Sequence, residues 1–244
     1  MNANGDEWAL VTGASSGIGR AVAEALAERG FGVVCAARRV DRLAELARDL
    51  GNRAVAIELD LRDPASATSL VERLPAPSRN LAVLVNCAGH DVGGRRRFDR
   101  GEMDEWANVV ETNLLGTMRV THAVVRGMVE RGRGHVVNVG SIFGFEAHAG
   151  GAAYTASKFG INGFSKAILA DYRGKGVRVT QVIPGLTRTE FAEARWGGDK
   201  AKADEFYGKF PSALEPADVA RMVVFAVEQP PHVTISDLMV LPSS

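Results

Sequence analysis

Tyr154 and Lys158 stand four residues apart in the segment S-I-F-G-F-E-A-H-A-G-G-A-A-Y-T-A-S-K, which begins at Ser141. On a helix over 153–172, that spacing puts both side chains on one face. A free phenol titrates near ~10 and is a poor base at neutrality. A neighbouring ammonium favours the phenolate and lowers that value, so the pair can pass a proton to or from a hydroxyl oxygen. Ser141 follows a β-branched run and can hydrogen-bond the same oxygen. Each residue also has a structural reading: a solvated Tyr–Lys pair, a serine cap and, for Asn113, an amide bonding within its own helix. What decides between the readings is the frame around them.

That frame is an alternation of strands and helices. Apolar runs at 8–12, 31–37, 54–59, 81–86, 135–139, 177–183 and 234–241 predict seven strands. Helical periodicity over 21–29, 41–50 and 216–227 falls between them, with Pro64 and Pro216 near helix starts. The expected fold is α/β: a single Rossmann-like domain over 1–244, doubly wound, with helices on both faces of a parallel sheet. Two segments, 90–105 and 190–211, follow strand ends and lack clear periodicity. They are expected to be substrate loops, the second a lid.

The turn T-G-A-S-S-G-I-G (12–19) closes the first strand and opens the first helix. Gly13 permits a tight turn, Gly17 lets backbone approach a pyrophosphate and Gly19 allows helix and strand to pack closely. The helix N-terminus then offers free N–H groups to phosphates. At the end of the second strand the chain reads A-A-R-R-V-D-R-L. Arg38 and Arg39 attract a 2′-phosphate where an acid would repel it, so NADP(H) is the expected coenzyme, with Asp41 the one contrary charge.

T-G-A-S-S-G-I-G, N-C-A-G (86–89), Asn113 in E-T-N-L-L-G, Ser141, Y-T-A-S-K (154–158) and P-G-L-T-R-T (184–189) resemble, in order and spacing, the short-chain dehydrogenase/reductases. The likeness covers nearly the whole chain. It implies a sheet ordered 3-2-1-4-5-6-7 and hydride transfer between an alcohol and its aldehyde or ketone, with Tyr154 as general acid/base. Ser141, Lys158 and Asn113 assist, Asn113 by anchoring a water that relays protons from Lys158. Besides Tyr154 and Lys158, the implied cofactor contacts are Gly13, Ser15, Ser16, Gly17, Ile18, Gly19, Arg38, Arg39, Asp60, Leu61, Asn86, Ala88, Gly89, Pro184, Gly185, Thr187 and Thr189. Cys87 departs from the usual N-N-A-G. The helices around 104–131 and 153–172 should pack against a partner, giving a homodimer or homotetramer.

By position, His90, Arg95, Arg96, Arg97, Phe143, Glu146, His148, Leu186, Phe191 and Trp196 are substrate-side candidates, with Ser141. The three arginines suit a carboxylate, sulfonate or phosphate, or else form a solvated or subunit-bridging run. The C-terminus lacks the I-T-G-Q…D-G-G ending of 3-oxoacyl carrier-protein reductases and resembles NADP-dependent enzymes of small hydroxy acids. A 3-oxoacyl-type reductase of lipid or polyketide metabolism is the alternative enzyme. A non-catalytic NADP-binding sensor is the alternative class, and it would be expected to have lost Tyr154 or Lys158.

Composition excludes other roles. Lysine plus arginine balances aspartate plus glutamate at 29 each, against general nucleic-acid binding. No run approaches the ~18 apolar residues of a membrane span, and M-N-A-N-G-D-E-W is no signal peptide, so the expected location is cytoplasmic. Two cysteines and five scattered histidines argue against a disulfide framework or a metal site. Cys35 and Cys87, on strands either side of the first, should not bond to each other.

Overall fold

The apolar runs form one parallel sheet in the computed structural model, which describes residues 7–243. The strands are β1 (Trp8–Thr12), β2 (Gly32–Ala37), β3 (Ala54–Glu58), β4 (Leu81–Asn86), β5 (Gly134–Val139), β6 (Val177–Pro184) and β7 (Asp237–Val240). Their order is β3-β2-β1-β4-β5-β6-β7, and every pairing is parallel, as expected from sequence. The helices are α1 (Gly17–Glu28), α2 (Val40–Leu50), α3 (Pro64–Thr68), α4 (Leu70–Arg73), α5 (Met103–Val110), α6 (Thr117–Glu130), α7 (Ala152–Asp171), α8 (Phe191–Arg195), α9 (Lys200–Gly208) and α10 (Pro216–Val227).

Alternation along each strand builds two cores. Ala9, Val11, Val33, Cys35, Val83 and Val85 face one side, where Val22 and Leu26 of α1 meet Val219 and Val223 of α10. Leu10, Val34, Leu84 and Val136 face the other, against Val120, Val124 and Met128 of α6 and Ile168 of α7. Burial on both faces explains why the central strands read as continuous apolar runs. β7 is an edge strand whose residues alternate between exposed and half-buried. It is shorter than the 234–241 run, since ladder pairing with β6 begins at Asp237.

Helix starts follow local chemistry. Pro64 and Pro216 occupy first-turn positions, and Glu215 with Asp218 forms a reciprocal capping box on α10. Two expectations change. The 190–211 segment is largely helical rather than irregular: Asp199 caps α9 by accepting from the Lys202 N–H at 3.1 Å, and Lys200–Asp204 and Lys209–Glu205 pairs brace it. The 104–131 helix carries a π-helical turn, Glu111–Gly116, between α5 and α6.

Cys35 lies in β2 and Cys87 just after β4, with β1 between them, and both thiols are free. Among the described residues no helix is long and apolar enough to cross a membrane.

Candidate active site

The C-terminal ends of β1, β2, β3 and β4, with the chain from Thr189 beyond β6, open onto one cleft of about 390 Å³. Its floor is the glycine-rich turn. Gly13 has φ +70°, and a Cβ there would sit 2.8 Å from the Ala88 Cα, so a side chain meets both strain and backbone. A Cβ on Gly19 would stand 2.3 Å from the Gly13 carbonyl oxygen, which is why α1 can start so close to the turn. Thr12 Oγ1 accepts from the Ala88 N–H at 3.2 Å and ties this turn to the β4 loop. Ser16 precedes α1 without a side-chain cap bond, leaving first-turn N–H groups for phosphate oxygens.

The cleft is lined by Gly13, Ser15, Ser16, Gly17, Ile18, Gly19, Arg38, Arg39, Asp60, Leu61, Ala88, Gly89 and Thr189, all expected from sequence, together with His90. Asn86, Tyr154, Lys158, Pro184, Gly185 and Thr187 do not line it. Asn86 is buried and donates to Thr121 Oγ1 and Asn138 Oδ1 at 3.0 and 2.9 Å, binding β4 to α6 and β5. Thr187 Oγ1 donates to the Gly185 carbonyl at 3.1 Å and shapes the chain leaving β6. Asp60 accepts from the Arg62 backbone at 3.0 Å and pairs with its guanidinium at 3.3 Å. Asp41 does not line the cleft.

The four catalytic candidates come together where β5 and α7 meet the β4 loop. Tyr154 is 8% exposed and lies edge-on to Phe143 and Phe191, at 5.5 and 5.3 Å between ring centroids. Lys158 is buried one turn on, its Nζ 5.6 Å from the Tyr154 ring centroid and donating to the Val139 carbonyl at 3.0 Å. Ser141 Oγ accepts from the Phe143 N–H at 3.2 Å, so it is a turn cap, and it also hydrogen-bonds the Tyr154 side chain. The Asn113 side-chain amide does not bond within its helix. Its Oδ1 accepts from the His90 N–H at 2.9 Å, and its Nδ2 donates to the His90 carbonyl at 2.9 Å and to Ser157 Oγ at 3.1 Å. The π-helical turn places this amide to bridge the β4 loop and α7. A Cβ added at Gly89 would lie 3.3 Å from Asn113 Oδ1 and 3.9 Å from Lys158 Nζ, so all three crowd one point.

In the chain by itself, burial sets the titration of Tyr154. Burial pushes its phenol up to about 12, with the Ser141 hydrogen bond and Arg195 pulling it down. Lys158 lies over the ring and bonds to a carbonyl, so it does not offset that desolvation. The phenol is therefore neutral and poised as an acid. Burial pulls Lys158 down to about 8. We expect kcat/KM for carbonyl reduction to be level below a pH of about 8 and to fall above it, as the ammonium loses its proton. A profile still flat two units higher, about pH 10, contradicts that role for Lys158.

On the substrate side, burial pushes His90 down to about 4, so it is neutral near pH 7. Arg96 pairs with Glu105 and lies over the Trp106 ring, and Arg97 is exposed and pairs with Asp99 at 2.9 Å. Arg95 is exposed, and its charge acts on the Asp91 carboxyl. Phe143 stacks on His148 at 4.3 Å, while Glu146 is exposed. Leu186 and Trp196 pack on α9 rather than on Tyr154.

Sequence reading missed the ion pairs that hold α8 across the cleft. Arg195 Nε donates to Asp91 Oδ2 at 2.9 Å, with both side chains under a tenth exposed, and the Arg195 guanidinium lies 5.0 Å from the Phe191 ring centroid. At the other end of α8, Glu190 accepts from Arg39 and Arg42. These partners lie 104, 151 and 148 residues apart, and no local pattern announces them.

The profile of the family described as short chain dehydrogenase matches residues 7–199. Sulfoacetaldehyde reductase 2 of Chromohalobacter salexigens is 37% identical over 238 residues, covering 96% of this chain and 93% of that protein. The NADP-dependent 3-hydroxy acid dehydrogenase YdfG of Salmonella typhi is 38% identical, covering 96% and 94%. Among solved structures, the closed form of a serine dehydrogenase complexed with NADP+ aligns with a TM-score of 0.92 at 37% identity, covering 95% and 93%.

Proposed function

The chain belongs to the short chain dehydrogenase family, and from that premise we propose that it is an NADP(H)-dependent oxidoreductase of small anionic carbonyl compounds and their alcohols. The observation that carries the reading is a neutral, buried phenol bonded to Ser141, beside a cleft whose coenzyme end bears Arg38 and Arg39.

The residues fit the coenzyme. The glycine cradle admits backbone-close phosphates, the α1 amides point at them, and the two arginines suit a 2′-phosphate. When bound, the coenzyme supplies a hydride to the carbonyl carbon or takes one from the alcohol. Tyr154 gives its proton to the carbonyl oxygen, and in the reverse direction receives it. Ser141 hydrogen-bonds that oxygen and fixes its position. Lys158 lies over the Tyr154 ring and crowds one point with Asn113, and through them a relayed proton would restore the phenol. Phe191 packs edge-on against the buried Tyr154, so we read α8 as the element that would move aside for substrate.

The names of the relatives, a sulfonated aldehyde reductase and dehydrogenases of hydroxy acids, support a small anionic substrate. Arg95 is the better placed of the arginine run, because Arg96 and Arg97 already have acidic partners. Mixing the protein and NADPH with sulfonated and carboxylated aldehydes, keto acids, neutral carbonyls and 3-oxoacyl thioesters tests this. Fastest NADPH oxidation is expected with the small anions, and a preference for thioesters transfers the assignment to the 3-oxoacyl reading.

We read residues 1–244 as one catalytic domain, with α8 and α9 as its lid. The apolar face formed by Phe98, Met103, Trp106 and Val110 with Ala152 and Ala156 suits a second copy of the chain. Phe98 and Met103 are 58% and 65% exposed there, supporting a homodimer or homotetramer.

A further inference from the structure

We propose that Glu190 is a coenzyme-selectivity residue, an internal carboxylate that competes with the 2′-phosphate for the arginines at the end of β2. The proposal rests on the NADP(H) reading above and concerns how strongly that coenzyme is held.

Arg39 is held by three acceptors. Its Nε donates to Ser15 Oγ at 3.1 Å, its Nη2 to Ser16 Oγ at 2.6 Å and its Nη1 to Glu190 Oε2 at 2.7 Å. Arg42 Nη1 donates to both Glu190 oxygens, at 2.7 and 2.9 Å. Glu190 thus sits between two guanidiniums, on the same cleft wall as Arg38 and Arg39. Partial burial works against its charge, but the bonds from Arg39 and Arg42 outweigh that and hold its carboxyl below the usual range. The carboxylate stays charged wherever the coenzyme binds.

A 2′-phosphate brings close to two negative charges to this wall, and like charges at contact distance repel. It must take donors from Glu190 or bind beside it. NADH, with a hydroxyl at that position, meets no such opposition. Glu190 therefore weakens NADPH specifically, and it does so from the residue that begins the lid and precedes Phe191. Arg39 retains its bonds to Ser15 and Ser16 when Glu190 lets go, so its guanidinium stays at the site.

The test is fluorescence titration of the full chain with NADPH and with NADH, for the parent, Glu190→Gln and Glu193→Gln. Glu193 lines the same cleft but is not bonded to Arg39 or Arg42, and serves as the charge control. Both carboxylates are on the surface of α8 or its cap, where substitution is tolerated. Glu190→Gln is expected to tighten NADPH by about 3–10-fold, the range of two partly exposed ion pairs, while NADH stays within about 2-fold. Glu193→Gln is expected to leave the ratio of the two affinities unchanged. Weaker NADPH binding in Glu190→Gln, an equal change for both coenzymes, or the same gain in Glu193→Gln overturns the proposal. A parent that prefers NADH overturns the coenzyme reading beneath it instead.

Discussion

A Tyr154→Phe variant is expected to turn over at least ~100-fold more slowly than the parent while binding NADPH nearly as tightly. The substitution keeps the ring between Phe143 and Phe191, so packing around the site is preserved. What it deletes is the only hydroxyl that is both bonded to Ser141 and placed one helical turn from Lys158 among the described residues. Without that proton the developing alkoxide must be protonated by water, and general acid catalysis is lost. The cradle for the coenzyme phosphates lies at the ends of β1 and β2 and is untouched. Steady-state kinetics with coenzyme titration checks both halves, and near-normal turnover contradicts Tyr154 as the acid.

The second large effect is expected at Arg38. Its side chain is exposed on the cleft wall, beside the Arg39 that Ser15, Ser16 and Glu190 hold in place. A charge-assisted hydrogen bond to the 2′-phosphate contributes about 1.5–3 kcal/mol, and about 1.4 kcal/mol is a factor of ten. Arg38→Asp removes that attraction, adds a repulsion and offers the NAD ribose hydroxyls an acceptor. NADP affinity should fall by at least ~10–100-fold, with NAD affinity holding or rising. Added salt should weaken NADP binding more in the parent than in the variant, because the contact is solvent-accessible. An unchanged NADP preference means that Arg38 only faces solvent.

The sheet was legible because its pattern is written locally, and the four catalytic candidates because their order and spacing resemble a known family. Leu10, Val34 and Leu84 alternate with Val11, Cys35 and Val85, and that alternation on two buried faces is what the apolar runs encode. Gly13 and Gly19 were read through the backbone approach they permit, and the structure puts backbone atoms where their side chains would be. Asn113 announced itself as an amide in mid-helix, but its partners did not. Bonds to His90 and Ser157 depend on a π-helical turn that no propensity marks. The burial that raises Tyr154 in the chain by itself was not legible for a similar reason. A pair on one helix face suggests attraction between charges, whereas burial depends on Phe143 and Phe191 arriving from other elements. Arg96 and Arg97 looked free in sequence because Glu105, Trp106 and Asp99 become their partners only once the chain folds.

The central claim is that this chain moves a hydride between NADP(H) and a carbonyl carbon, with Tyr154 handling the proton. The most direct measurement uses NADPH deuterated at the transferable position of its nicotinamide, the parent protein and the best small anionic carbonyl. Mass spectrometry of the alcohol product should find one deuterium on the carbinol carbon for each NADPH oxidised. An alcohol without deuterium, or NADPH bound but oxidised by no carbonyl tested, contradicts the account, and the second result points to a coenzyme-binding sensor.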